Sequence, residues 1–450
     1  MPTLRKDSRC SIICMKRGIF CMNIMIENIA LIKKAEIDLN GITVVAGLNK
    51  TGKTTIGKAL YAIISAYQNL PRKVSDSKRD GISNAFVTII RKNRELLENT
   101  SLWMVELEED FVDSIREKDL LIWSSEEGRK DVSGYIDQWV HSKKEYEEYI
   151  REEEMDALYK EICAVLERSD EEYEEFLIES FVRNVFKKQV SCFYNNENGK
   201  IIFSFPDNEL KVEFAGNELT YFNQNIVSDT CAVYMESINL LDLVQSNARV
   251  RRTSRGVSTR FSQPTTTCIR MLTKTADEGG ETFEEYTENK KVKEIIEYIV
   301  EKVTHGTLRN DSAGISFVDK RGQKAVELSN LSAGLKVFVV IQTLLENGSL
   351  KCGDILLIDE PEVNLHPEWQ IVLAEVLVLL RKELGIVLYI NSHSPYFIRA
   401  IEVKMAGNGM ALEGKFYLTV PDGDNLYHVE DVSQNTERIY ELLYKPLEEL

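Results

Sequence analysis

The stretch "VVAGLNKTGKTTIGKAL", residues 44–60, constrains this chain more than any other. An apolar, strand-like run, "ITVVA", leads into it, and a helical run, "TIGKALYAIISAY", leads out. Between them Gly47, Gly52, Lys53 and Thr54 fit the spacing G-x-x-x-x-G-K-[ST] of a phosphate-binding loop. Glycines let such a loop curl until successive N–H groups point inward at phosphate oxygens. Lys53 would bring a mobile positive charge to the β- and γ-phosphates, and the Thr54 hydroxyl is a hard oxygen ligand suited to Mg2+. The helix that follows adds its N-terminal dipole. Asn49, Lys50, Thr51 and Thr55 complete the expected nucleotide-binding set.

The rest of the chain bounds what a nucleotide could be for. Its 450 residues leave room for two or three domain-sized units, or one large domain with an insertion. A hydrophobic content of 43% is ordinary for a soluble globular protein. No apolar run reaches the roughly 18 to 20 residues needed to cross a bilayer, so no membrane partner is expected. The eight cysteines are scattered without a zinc spacing, which reads as reduced thiols in a cytoplasmic protein. Residues 1–22 are basic but show no small-residue cleavage site. They read as a disordered tail, or as a stretch ahead of a true start at Met22 or Met25.

Net charge is −17, and residues 101–190 carry most of it, with 26 acidic and 12 basic side chains. Within them a long stretch free of Gly and Pro repeats Tyr149, Met155, Leu158, Ile162 and Leu166 at helical steps. Residues 98–190 are therefore expected to form an inserted acidic helical subdomain, with a solvated outer face. The expected head comprises residues 23–97 with the phosphate loop, a strand-rich part over 191–248 and a C-terminal part over 291–450. Residues 249–290 read as a polar loop or linker. Arg249, Arg251, Arg252, Arg255 and Arg260 in that loop could neutralise nucleic-acid phosphates, or simply belong to a disordered segment.

Three further constellations carry chemistry. "GDILLIDEPEVNLHPEWQ" is an apolar, buried-type strand ending at Asp359 and Glu360. Carboxylates at the carboxyl end of such a strand face the crevice where ligands bind in open α/β sheets. Asp359 would hold Mg2+ through its water shell, and Glu360 would orient and deprotonate an attacking water. "NLSAGLKVFVVIQTLL" places Ser332, Ala333 and Gly334 at the start of an apolar helix, a place for an anion as well as for an N-cap. "GIVLYINSHSPYFI" is another apolar strand, ending at His393.

In order and spacing these motifs resemble the ABC-type P-loop ATPase heads of the SMC, RecF and OLD kind. "GLNKTGKTT" resembles Walker A, "LSAGLK" the signature, "ILLIDEPE" Walker B, "NLHPE" the D-loop region and "NSHSP" the switch histidine. The pair "DEPEVNLHPEWQ" and "SHSPYF" is especially similar to OLD-related bacterial AAA-family ATPases, many of them in antiphage defence. The resemblance implies an α/β head with a mixed sheet and flanking helices, interrupted by the helical insertion. It also implies ATP and Mg2+ as cofactors, and Glu360 and His393 as catalytic residues. The signature Ser332–Gly334 would cap the nucleotide of a second copy, so a head-to-head dimer is implied. Gln224 is the candidate for the family's metal-contacting glutamine, while Lys336 stands where transporter signatures carry glutamine. The 57 residues after His393 are too few for the Toprim nuclease domain of OLD proteins. A separately encoded effector, such as a nuclease or toxin, is therefore expected. A transporter ATPase subunit and a DNA-repair-type ATPase are the alternatives.

Overall fold

The computed structural model describes residues 22–92, 101–142, 152–206, 208–224, 226, 228, 230–236, 240–244, 262–274, 283–311, 314–322, 324–423 and 425–448. The N-terminal tail and Arg249–Arg260 lie outside the described residues. The chain divides into two compact units. One comprises 1–68, 179–223 and 228–450, the other 69–178 with 224–227.

The larger unit is α/β, built on one 11-stranded mixed sheet with flanking helices, as expected from the sequence. Its first three strands are β1 (Met22–Ile29), β2 (Ile32–Leu39) and β3 (Ile42–Ala46). Later in the chain come β4 (Gly199–Phe205), β5 (Asn208–Ala215), β6 (Glu218–Phe222) and β7 (Ala232–Met235). A small separate sheet holds β8 (Gly306–Asp311), β9 (Gly314–Asp319) and β10 (Lys324–Val326). The large sheet is completed by β11 (Ile355–Asp359), β12 (Val387–Ser392), β13 (Gly414–Pro421) and β14 (Tyr427–Asp431). Its order is β6-β5-β4-β1-β2-β14-β13-β3-β12-β11-β7.

The two halves of this sheet follow different rules. β6, β5, β4, β1 and β2 are antiparallel neighbours, and β5 alternates buried and partly exposed side chains, the mark of a sheet covered on one face. β13, β3, β12, β11 and β7 are parallel, and all five residues of β3 are buried, as a strand covered on both faces requires. One cover is helix α1 (Lys53–Tyr67), with twelve of its residues buried. On the other face Val44, Leu356 and Ile390 share a core with three later helices. These are Ala333–Glu346, Pro367–Leu384 and Pro395–Gly407.

The second unit is helical, with α2 (Leu70–Lys92), α3 (Ser101–Ser114), α4 (Glu117–Trp123), α5 (Lys130–Ser142), α6 (Glu152–Glu167) and the first half of α7 (Asp170–Val185). Its own core joins Ile82, Phe86, Phe111, Trp139, Leu158 and Ile162. Phe86 stacks on Phe111 with ring centres 4.7 Å apart. The unit spans 69–178 with 224–227, whereas charge and helical periodicity placed an insertion at 98–190. The acidity begins only near residue 101, while the apolar face of α2 already packs into this core.

The expected loop over 249–290 needs correction as well. Within it lies helix α8 (Gln263–Leu272), with Ser262 accepting a hydrogen bond from the Thr265 N–H and Pro264 in the first turn. Its apolar side, Cys268, Ile269 and Leu272, is buried. The Ser-x-Pro start is a helix signal that the surrounding polar composition obscured. Helix α9 begins at Phe283 and ends at Ile299. The helices introduced above complete the series as α10 (Ala333–Glu346), α11 (Pro367–Leu384) and α12 (Pro395–Gly407), followed by α13 (Glu437–Glu448).

Candidate nucleotide site

Four parallel strands end level with one another. Ala46 of β3 pairs with Ser392 of β12, Asn391 of β12 pairs with Asp359 of β11, and Ile358 of β11 pairs with Met235 of β7. The segments that leave these ends carry the residues singled out in the sequence, at the carboxyl edge where open α/β sheets bind ligands.

The loop after β3 wraps onto α1. Gly52 takes a left-handed φ of 88° just before the helix, where a Cβ would come within 2.5 Å of the Ile32 side chain. At Gly47 a Cβ would fall 1.9 Å from Thr419 Oγ1, so the loop approaches β13 closer than any side chain allows. Thr419 Oγ1 in turn lies 2.7 Å from Thr51 Oγ1 and 3.3 Å from the Ala46 carbonyl, while Thr51 donates to the Leu48 carbonyl at 2.9 Å. Lys53 is buried and donates to the carbonyls of Gly47 (3.0 Å) and Leu48 (2.7 Å). Burial lowers the pKa of its ammonium, and the carboxylates of Glu360, Asp359 and Glu362 oppose that shift. No side chain caps the start of α1, so its first N–H groups are left for another acceptor.

Asp359 is ringed by donors. Asn391 Nδ2 stands 2.6 Å from Oδ1, Tyr234 OH stands 3.2 Å from Oδ2, and Thr54 also hydrogen-bonds the carboxylate. Burial raises its pKa, and these three bonds work against the rise. Asn391 Nδ2 reaches the Lys53 carbonyl as well, at 3.1 Å, so the loop and the acidic strand share one amide.

Glu360 departs from the strand with a left-handed φ of 47°, its N–H held by the Asn391 carbonyl at 2.9 Å. A non-glycine residue in that region stores strain, and such strain collects at functional sites. Its Oε1 lies 3.1 Å from His393 Nδ1, at ion-pair distance but without hydrogen-bond alignment. Both side chains are 38% exposed and therefore reachable from solvent.

Ser332 caps α10 by position only: it is exposed, and its hydroxyl makes no capping bond. Ala333 follows, and Gly334 sits so close to the turn after Glu360 that a Cβ would lie 3.0 Å from the Asn364 carbonyl and 3.2 Å from Trp369. Lys336 is buried and paired with Asp242 at 2.7 Å, a structural ion pair. Asn49 and Lys50 are exposed in the loop, and Thr55 is half-buried in the first turn of α1.

Gln224 does not join this group. The N–H of its neighbour Asn223 is held by the Tyr67 hydroxyl at the far end of α1. That helix runs 15 residues from Lys53, roughly 20 Å at 1.5 Å per residue. An asparagine-rich turn after a strand imitated the motif locally without the strand being a neighbour of β11. The strand that does flank β11 is β7, and its next residue, Glu236, pairs with Lys58 of α1 at 2.8 Å.

The donor set suits a nucleotide with a hydrated divalent cation. Lys53 and the uncapped N-terminus of α1 bring positive charge and free N–H donors to one place, chemistry that suits phosphates. Buried Asn391 Oδ1 has no hydrogen-bond partner, an acceptor left for water or a cation's water shell. Among the described residues no cluster of three or more His, Cys, Asp and Glu side chains forms a protein-only metal cage.

The family model for an AAA ATPase domain matches residues 22–398. The chain belongs to that family. No curated protein matches it. Among solved structures, an SMC head bound to the C-winged helix domain of ScpA is 9% identical, with TM-score 0.41 over 93% of this chain and 99% of that one. The SMC head domain from Thermotoga maritima is 12% identical, with TM-score 0.38 over 92% and 98%. The ATP-binding cassette of an ABC transporter in its ADP conformation is 10% identical, with TM-score 0.33 over 94% and 96%. At identities and scores this low the likenesses say nothing about activity or partners. As an AAA ATPase domain, the chain is a nucleotide-binding ATPase-type protein, and among the described residues no helix is long and apolar enough to cross a membrane.

Proposed function

We propose that the chain is an ATP-driven switch that closes head to head around nucleotide. The observation that carries this reading is the convergence of Lys53, Thr54, Asp359 and Asn391 at the ends of three adjacent strands, with Glu360 and His393 facing the same edge. In it, Gly47–Thr55 enclose the phosphates and Thr54 and Asp359 hold Mg2+, which neutralises phosphate charge. Glu360 takes a proton from the attacking water, and His393 steadies the terminal phosphate. The exposed, uncapped Ser332 and the N-terminus of α10 bind the nucleotide of a second copy. The switch then works with a separately encoded effector, such as a nuclease or toxin, in antiphage defence or DNA maintenance. The motif pair around Glu360 and His393 supports that setting.

The test is Glu360→Gln. The amide keeps the shape of the carboxylate but cannot take a proton, so ATP hydrolysis falls by roughly 10²- to 10⁴-fold while nucleotide binding survives. Light scattering then shows an ATP-dependent dimer that Ser332→Arg, placing bulk and charge in the cap, returns to the unliganded state. Wild-type hydrolysis in Glu360→Gln overturns the catalytic assignment. An inactive mutant with no nucleotide-dependent assembly overturns the dimer.

A further inference from the structure

Glu362 is a second carboxylate on the turn after β11, and nothing in the nucleotide chemistry above uses it. Its side chain is only 4% exposed. One oxygen, Oε1, accepts three hydrogen bonds, from Ser392 Oγ at 2.6 Å, the His393 N–H at 3.1 Å and the Ser394 N–H at 3.2 Å. The same oxygen lies 3.9 Å from His393 Nδ1. Its other oxygen, Oε2, is buried without a partner. A carboxylate withdrawn from water costs stability unless its bonds compensate, and here every bond goes to one three-residue turn. Ser394 extends the clamp by capping α12 through the Phe397 N–H at 3.2 Å and by reaching Gln370 of α11 at 3.1 Å.

The two turns therefore cannot move independently. One leaves β11 and carries Glu360; the other leaves β12 and carries His393. Strand pairing fixes Asp359 against Asn391, and one more backbone bond holds the Glu360 N–H to the Asn391 carbonyl at the start of the turn. Past that point Glu362 ties one turn to the other, and the Glu360 and His393 side chains lie 3.1 Å apart across them.

We infer that Glu362 is a positioning residue for ATP hydrolysis, acting through the Ser392–Ser394 turn to hold His393 against Glu360. The inference rests on the proposed roles of Glu360 and His393. It predicts a loss in turnover with nucleotide affinity largely kept, because the hydrogen bonds of Glu362 go to the turn that carries His393 and not to Gly47–Thr55 or Asp359. Displacing a reacting group by about an ångström costs on the order of 100-fold in rate.

The experiment compares Glu362→Ala and Glu362→Gln in the full chain, measuring kcat and KM for ATP and the affinity for a non-hydrolysable ATP analogue. In Glu362→Ala kcat falls roughly 10- to 100-fold with KM and affinity within about twofold. Glu362→Gln, which keeps an acceptor oxygen for the turn, recovers most of the loss. His393→Ala combined with Glu362→Ala is no slower than His393→Ala alone, because the two act on one element. Should Glu362→Ala fail to fold, Ser392→Ala removes a single donor and shows the same split in milder form. Losses that multiply in the double variant, or a loss confined to affinity, overturn the inference. Full activity in Glu362→Ala alongside an inactive Glu360→Gln overturns it while leaving the proposed function standing. Full activity in both overturns the proposed function itself.

Discussion

Asp359 and Asn391 face each other across β11 and β12, with Asn391 Nδ2 2.6 Å from Asp359 Oδ1 and 3.1 Å from the carbonyl of Lys53. One amide thus bonds both the acidic strand and the phosphate loop. Thr54, next to Lys53, also hydrogen-bonds Asp359, so the loop and the strand end are joined at two neighbouring points.

The raised pKa of Asp359 has a consequence for stability. A carboxylate whose folded pKa lies above its unfolded value makes the fold hold its proton more tightly. Stability is therefore lost as pH rises from the unfolded pKa through the folded one. Asp359→Asn removes that cost, and the Tyr234 hydroxyl can turn to accept from the new amide. Without nucleotide, thermal unfolding at neutral pH should shift upward, and the extra stabilisation given by MgATP should vanish. A variant less stable than wild type, with the MgATP increment intact, contradicts this account.

Lys53→Ala should weaken ATP binding. Charge-assisted hydrogen bonds contribute roughly 1.5 to 3 kcal/mol, so the loss should be about ten- to a hundredfold. Calorimetry with a non-hydrolysable analogue measures it directly. Unchanged affinity would remove Gly47–Thr55 as the phosphate site.

Thr419→Val keeps the shape of a buried β-branched side chain but removes the hydroxyl that holds Thr51 and the Ala46 carbonyl. A single neutral hydrogen bond is worth about 1 kcal/mol net, so nucleotide affinity should drop roughly five- to tenfold with the fold retained. Titration of the analogue against both proteins decides it, and equal affinities would show the loop to be held without Thr419.

Replacing Arg249, Arg251, Arg252, Arg255 and Arg260 with alanine should weaken binding to DNA or RNA and flatten its dependence on salt, since fewer counterions are released. A wild-type protein with no salt-sensitive binding to either polymer in the presence of ATP would assign the segment to another role.

The sequence made the elements of the candidate site legible and the partners that hold them illegible. Gly47–Thr55, the strand ending at Asp359 and the helix starting after Ser332 all announce themselves within ten or twenty residues. Asn391 did leave a trace, as an amide at the end of an apolar strand. What could not be read was that this strand lies beside β11, because neighbours in a parallel sheet are set by crossovers rather than by local pattern. The same gap hid Thr419, Tyr234 and Glu362, and it let Gln224 pass as a metal contact. Helix α2 was misplaced for a different reason. Charge marked where the acidity begins, whereas the core of the helical unit is set by Ile82 and Phe86, which precede it.

β3 lies between β12 and β13, whose residues follow it by more than three hundred positions. On the ribosome, at about 5 to 20 residues per second, the finished phosphate-loop strand waits something like a minute or less for the neighbours it must pair with. Until then its four apolar side chains and both edges are unpaired, a state prone to wrong association. The sheet around β3 is therefore complete only once residues as late as β13 have been made. A nascent or prematurely ended product, though it carries an intact Gly47–Thr55, lacks the strands that give the loop its shape and so cannot act as a half-built switch.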